Sequence, residues 1–235
     1  MKGTTAIKAE LANYKENELI FASRLYKEKL SDAVEEAAYY KALERMCSAG
    51  ELARAAKGIY YLPKKNKYGS VPPSDREIVD AFTRNGKGTV IGYSLYNSLG
   101  LTTQIPKTVE VLSSVLEEFS KTIRNVSVKK SELFYDHAAE NIIHGLDVFQ
   151  NFNFIQDIDY KMFIEFAKSF ANKYSDEAFE KVIAVEKFKK STIAFQREVL
   201  NYYGIRNCLD RHLSAMSKYK HPKMEEIYEA ARINR

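Results

Sequence analysis

Between Glu51 and Asp75 the sequence holds no acidic residue, while Arg54, Lys57, Lys64, Lys65 and Lys67 all fall in that stretch. Cations gathered on one short segment can neutralise phosphates, and each phosphate covered adds affinity by releasing counterions. Just upstream, Tyr39, Ala42, Leu43 and Met46 are spaced at 0, 3, 4 and 7, which turns them toward one apolar helix face. The outer face then consists of Lys41, Glu44, Arg45 and Ser48, with Tyr40 at its edge. Arg45 or Lys41 can reach guanine edges or phosphates, and Tyr40 can bond to phosphate. A solvated helix face followed by a charged loop has the same composition, so charge alone leaves both readings open.

Other residues invite chemistry that their surroundings do not support. Asp136, His137, Glu140 and His144 sit at 0, 1, 4 and 8, which brings His137, Glu140 and His144 near one helix face. Imidazole and carboxylate one turn apart suit zinc or manganese. The HExxH arrangement is lacking, and polar helix surface is the plainer reading. Gly86-Lys87-Gly88-Thr89 fails as a phosphate loop, because Gly88 stands where Ser or Thr must follow Gly-Lys and Ala81 stands at the earlier glycine. Asp157 and Asp159 have the spacing to hold magnesium for phosphoryl or nucleotidyl transfer. Such enzymes need a Gly-Ser turn just upstream, where this chain has Gly145 followed by Leu146, so a helix-capping pair is the better reading. Cys47 and Cys208 carry no signature of nucleophilic catalysis, and Asp210-Arg211-His212 reads as helix surface. No catalytic residue, metal site or cofactor is expected.

The elements that must position the basic residues are legible in outline. A first helix is capped at Thr4 or Thr5 and runs to about Tyr14, a second spans about 17–29, and a third is capped at Ser31 and reaches Ala49, where Gly50 stops it. Short runs on either side of Lys57-Gly58 predict a hairpin closing at Pro63. Helix, helix, helix, hairpin is the chain order of a winged helix-turn-helix. Lys64 to Pro73 reads as a linker, and Ser74-Asp75 caps a helix to about Phe82. A mixed segment follows, with a short strand at Thr89–Ile91 after the Asn85-Gly86 turn, a helix at Ser94–Leu99 stopped by Gly100, and strands over 107–112 and 122–128. From Tyr135 onward the pattern is helical, with one stripe of Ala138, Ile142, Leu146 and Phe149 and another of Phe163, Phe166, Ala167 and Phe170. The expected fold class is α+β, mainly helical. It comprises a winged helix-turn-helix DNA-binding domain over 1–70 and a C-terminal domain over 71–235, mixed α/β in 71–130 and helical in 131–235.

Over 235 residues, 36 Lys+Arg against 31 Asp+Glu give a net charge of +5, too mild to name a partner. Divided along the chain it is more informative. Residues 1–70 hold 13 basic and 9 acidic residues, 71–186 hold 12 and 17, and 187–235 hold 11 and 5. Two basic ends therefore flank an acidic middle. The N-terminus lacks the apolar run of a signal peptide, and no stretch approaches the ~20 apolar residues of a membrane span. Two widely separated cysteines fit reduced thiols. A cytoplasmic protein without membrane partners is expected.

Leu43-Glu44-Arg45-Met46-Cys47-Ser48-Ala49-Gly50-Glu51-Leu52, followed by Ala56-Lys57-Gly58-Ile59-Tyr60-Tyr61-Leu62-Pro63, resembles the winged-helix domain of the AbiEi family of antitoxins. The resemblance extends through Pro73-Ser74 and through the run from Gly92-Tyr93-Ser94-Leu95-Tyr96-Asn97 to Thr102-Thr103-Gln104-Ile105-Pro106, the more specific of the blocks. It covers about residues 1–130. It implies the antitoxin of a bacterial type IV toxin–antitoxin system, active in phage defence by abortive infection. Such an antitoxin binds inverted repeats in double-stranded promoter DNA and represses its own operon. Its C-terminal domain counters a nucleotidyltransferase toxin without requiring a stable complex. By position, Lys41 and Arg45 become recognition-helix residues and Arg54 and Lys57 wing residues. Met46 replaces the family's usual Leu, and Ala55 stands near a usually basic position. The alternatives are an antitoxin that sequesters the toxin by direct protein contact, and a metal-dependent enzyme built on His137, Glu140 and His144.

Overall fold

The computed structural model describes residues 2–233; Met1, Asn234 and Arg235, the last counted in the basic C-terminal segment, lie outside the described residues. The chain is α+β and mainly helical, and it divides into two compact units. The first runs to Ala81 and takes in Thr122–Arg124; the second holds Phe82–Lys121 and the residues from Asn125 on. Residues 71–81, grouped with the C-terminal domain in the sequence reading, thus belong to the first unit.

The first unit begins with α1 (Lys2–Leu11), whose Ile7 and Leu11 are buried. The expected second helix is corrected. Its first part is a strand, β1 (Leu19–Phe21), and only then come a short helix α2 (Ala22–Leu25) and a π-helical turn (Tyr26–Leu30). Asn17 adopts a positive φ of 61°, and the apolar run after it pairs with a later strand, so tertiary pairing overrides local helical preference. The third helix also starts later than Ser31. Ser31 closes the π turn through its N–H to the Tyr26 carbonyl, Glu35 is extended, and α3 covers Glu36–Ser48. Its expected stripe of Tyr39, Ala42, Leu43 and Met46 is buried, and Gly50 ends it at φ 68°.

Strands β2 (Ala53–Ala56) and β3 (Ile59–Tyr61) form the expected hairpin. Ala56 pairs with Ile59, which leaves Lys57-Gly58 as a two-residue loop with Gly58 at φ 75°. A bulge at Ala55 breaks the register between Arg54 and Ala56. Leu19, Ile20 and Phe21 pair with Tyr61, Tyr60 and Ile59, completing an antiparallel sheet in the order β1-β3-β2. The expected linker is corrected too: β4 (Lys64–Asn66) and β5 (Gly69–Val71) make a second antiparallel hairpin. Then α4 (Asp75–Thr83) begins with a capping box. The Ser74 N–H and hydroxyl both donate to Glu77 Oε2 at 2.7 Å, and the Glu77 N–H returns to Ser74 Oγ.

The second unit contains β6 (Gly88–Ile91), α5 (Gly92–Ser98) and β7 (Val109–Ser113). The single strand expected over 122–128 is two, β8 (Ser120–Ile123) and β9 (Val126–Lys130), because Arg124 takes a positive φ of 52° between them. The sheet order is β6-β7-β9-β8, with β6 antiparallel and β9 parallel to β7. The helices are α6 (His137–Asn151), α7 (Tyr160–Asn172), α8 (Asp176–Val185), α9 (Lys190–Tyr202) and α10 (Met224–Ile233). Phe149 of α6 lies 5.1 Å from Phe170 and 5.2 Å from Phe195 between ring centroids, so three helices share one aromatic core.

Candidate nucleic-acid interface

The eight basic and aromatic residues singled out from sequence all lie in the first unit, and all but half-buried Tyr40 are exposed. Their positions follow from how α3 is held. Tyr39 is fully buried and donates its hydroxyl to the Ala22 carbonyl at 3.1 Å, with burial raising its pKa above the usual phenol range. That anchor orients the helix and sends Lys41, Glu44, Arg45 and Ser48 outward. Arg45 Nε donates to the Lys41 carbonyl at 3.4 Å, and Ser48 Oγ to the Glu44 carbonyl at 3.1 Å. Tyr40 rests edge-on against Tyr39, with centroids 5.1 Å apart.

Arg54 projects from β2 at the bulge, its Nε donating to the Ala56 carbonyl at 3.3 Å, and Lys57 occupies the hairpin tip. Lys64 and Lys65 stand on β4, and Lys67 follows in the turn. Sequence reasoning passed over Tyr68, which is 85% exposed with the Lys67 ammonium 4.9 Å from its ring centroid. An aromatic set inside a run of lysines was the available signal.

The other groups are occupied by the fold. Glu140, still 40% exposed, and the more buried His144 both converge on Thr89, whose hydroxyl lies 2.8 Å from Glu140 Oε1 and 2.8 Å from His144 Nε2. His137, expected near them, is exposed. Burial pulls the His144 pKa below the ordinary imidazole value, with Glu140 acting in the opposite sense. Among the described residues no three His, Cys, Asp or Glu side chains are grouped to hold a metal ion. Gly88 is required by close packing, since a Cβ there would run into the carbonyl oxygens of Phe82 and Leu112. Asp159 caps α7, accepting from Lys161 and Met162 N–H, and Asp157 accepts from Gln104 Nε2 at 2.7 Å. Asp210 pairs with Arg197, and His212 Nε2 lies 2.7 Å from Glu180 Oε1. Both thiols are pushed up, Cys47 by burial and Cys208 by its hydrogen bond to Asp176, so neither is primed as a thiolate.

One feature of the second unit had no sequence signal. A cleft of about 410 Å³ is lined in part by Gly92, Tyr93, Glu110, Lys129 and Asp147. Asp147 Oδ2 accepts from the Gly92 N–H at 2.8 Å and Oδ1 from Asn151 Nδ2 at 3.2 Å, while burial raises its pKa. The residues of the 92–106 block have structural work nearby. Tyr93 donates to the Phe154 carbonyl at 2.8 Å, Thr102 to the Gln156 carbonyl at 2.7 Å, and Asn97 Nδ2 to the Thr102 carbonyl at 3.2 Å.

Residues 7–148 match DUF6088, described as a family of unknown function, and that is more than half of the chain. The chain belongs to the DUF6088 family. No curated protein matches it. The DUF6088 segment covers α3, both basic hairpins and the β6–β9 sheet, and it ends within α6 just after Asp147. Helices α7–α10 lie beyond it. Among the described residues no helix is long and apolar enough to cross a membrane.

Proposed function

We propose that this DUF6088 protein is a DNA-binding regulator whose first unit is a winged helix. The observation that carries the reading is the two-sidedness of α3. It buries Tyr39, Ala42, Leu43 and Met46 and presents Lys41 and Arg45 to solvent, directly before an antiparallel hairpin with Lys57 at its tip. The element order α1-β1-α2-α3-β2-β3 and the sheet order β1-β3-β2 support a recognition helix followed by a wing. On this reading Lys41 and Arg45 enter the major groove, Tyr40 and the lysines at positions 57, 64, 65 and 67 hold phosphates, and Arg54 flanks the wing.

The likeness to AbiEi antitoxins supplies the biological role: a cytoplasmic antitoxin that represses its own operon at inverted repeats. Its second unit counters a nucleotidyltransferase toxin. The role is regulatory and not catalytic, in keeping with the structural hydrogen bonds that occupy Asp157 and Asp159. The deciding test is a gel shift on the promoter of its own gene. Lys41→Ala combined with Arg45→Ala abolishes retardation while the circular dichroism spectrum and melting curve stay those of the parent. Parent-like retardation by the double variant overturns the recognition-helix assignment. Co-expression with a nucleotidyltransferase toxin encoded beside the gene tests the antitoxin role: growth protection by the full chain, lost on deleting the second unit, supports it, and the absence of such a neighbouring gene overturns it.

A further inference from the structure

Hairpin β4–β5 is built like an arm. Its root is fixed to the unit beneath it: the Asn17 N–H donates to the Leu62 carbonyl at 2.8 Å, and Asn17 Oδ1 accepts from the Lys64 N–H at 3.3 Å. Asn17 itself is buried and held at positive φ, so the anchor is part of the core. Beyond the root, the residues from Lys64 to Ser70 are all exposed. The tip is nevertheless shaped, since Asn66 Oδ1 accepts from the Tyr68 N–H at 2.8 Å and closes an Asx turn.

One residue at this tip makes little sense for a solvated turn. Tyr68 exposes 85% of its surface, so its ring contributes almost no burial to the fold. The same hairpin carries Lys64, Lys65 and Lys67; no carboxylate falls between Glu51 and Asp75 in the sequence, and Glu77 faces Lys64 at the root. The Lys67 ammonium sits over the ring, which places a cation and an aromatic surface at the same point. Lysines draw such a tip to a polyanion, and an exposed ring gives it something to press against bases or sugars once there.

We infer that β4–β5 is a second DNA-contacting arm, with its lysines on phosphates of duplex DNA and the Tyr68 ring inserted into a groove. The inference rests on the DNA-binding reading and extends it to a residue and a contact type that α3 and the β2–β3 hairpin do not supply. The ring contact is short-range and insensitive to salt, whereas the lysine contacts are electrostatic, and this difference separates them.

The experiment measures affinity of the full chain for labelled promoter duplex by fluorescence anisotropy over a salt series, for parent, Tyr68→Ala, Tyr68→Phe and Lys65→Ala. Tyr68→Ala weakens binding about tenfold at every salt concentration and keeps the parent salt slope. Tyr68→Phe binds like the parent. Lys65→Ala lowers the slope by about one. Parent-like affinity of Tyr68→Ala overturns the arm while leaving the α3 reading standing. A loss with Tyr68→Phe equal to that with Tyr68→Ala assigns the effect to the hydroxyl and overturns ring insertion. A Tyr68→Ala defect seen on single-stranded and not on duplex DNA overturns the duplex assignment. Failure of the parent itself to bind the promoter overturns both readings together.

Discussion

His144 Nε2 meets the Thr89 hydroxyl oxygen at 2.8 Å, tying the middle of α6 to the first part of β6 across 55 residues of sequence. Thr89 is buried, and its hydroxyl also donates to Glu140 Oε1 at 2.8 Å, so one strand residue fixes two positions one turn apart on the helix.

That geometry sets a pH dependence. Burial lowers the His144 pKa in the folded chain, so the unfolded chain takes up this proton first as pH falls. Stability contributed by neutral His144 is therefore complete above about pH 6.5, declines as pH drops below it, and levels off below the folded value. Urea unfolding between about pH 7 and about pH 5 is expected to show this decline in the parent and a flatter profile in His144→Gln. Identical profiles would remove His144 as its source.

Asp147 is expected to matter for structure through the Gly92 N–H it accepts. Asp147→Ala leaves that donor without its partner and costs about 1–3 kcal/mol in chemical denaturation. Asp147→Asn keeps an acceptor oxygen and removes a buried charge, so it retains most of the parent stability. Equal losses in the two variants would show that the charge, and not the acceptor, is what the site needs.

Gly145 tests the aromatic core. A Cβ at this position would overlap the Phe170 ring, so Gly145→Ala destabilises by about 1–3 kcal/mol. Phe170→Leu in the same chain relieves the overlap, and the double variant is then more stable than the sum of the two single losses. Simple additivity would show that the two side chains do not meet.

On the proposed DNA-binding reading, Lys57→Ala at the tip of the β2–β3 hairpin is expected to weaken binding to every duplex alike and to lower the salt slope by about one, as loss of a phosphate contact does. Lys41→Ala with Arg45→Ala instead abolishes the promoter complex and with it any preference for promoter over random duplex. Loss of discrimination with Lys57→Ala would exchange the assigned roles of helix and wing.

What was legible in the sequence is what a few neighbouring residues decide among themselves. The buried stripe from Tyr39 to Met46, the Lys57-Gly58 turn, the Ser74 cap and the Gly100 stop each depend on contacts within a turn or two. The positions of Lys41, Arg45, Arg54 and Lys57 on those elements were readable for the same reason. Leu19–Phe21 is different. Its residues pass for a helix until β3 offers a hydrogen-bonding edge some 40 residues later, and pairing energy then decides the conformation. The β4–β5 hairpin was hidden in a stretch of lysines that reads as linker, because its strands are stabilised by each other and by Asn17 and bury almost nothing. Glu140 and His144 show the limit most clearly. Their spacing placed them on one helix face, but a helix face has no intrinsic destination, and only the arrival of Thr89 made them partners of a strand. Sequence alone determined the local elements and the placement of charge on them. Tertiary structure decided which polar groups were removed from water and what each met there, because burial and partner choice depend on residues distant in the chain.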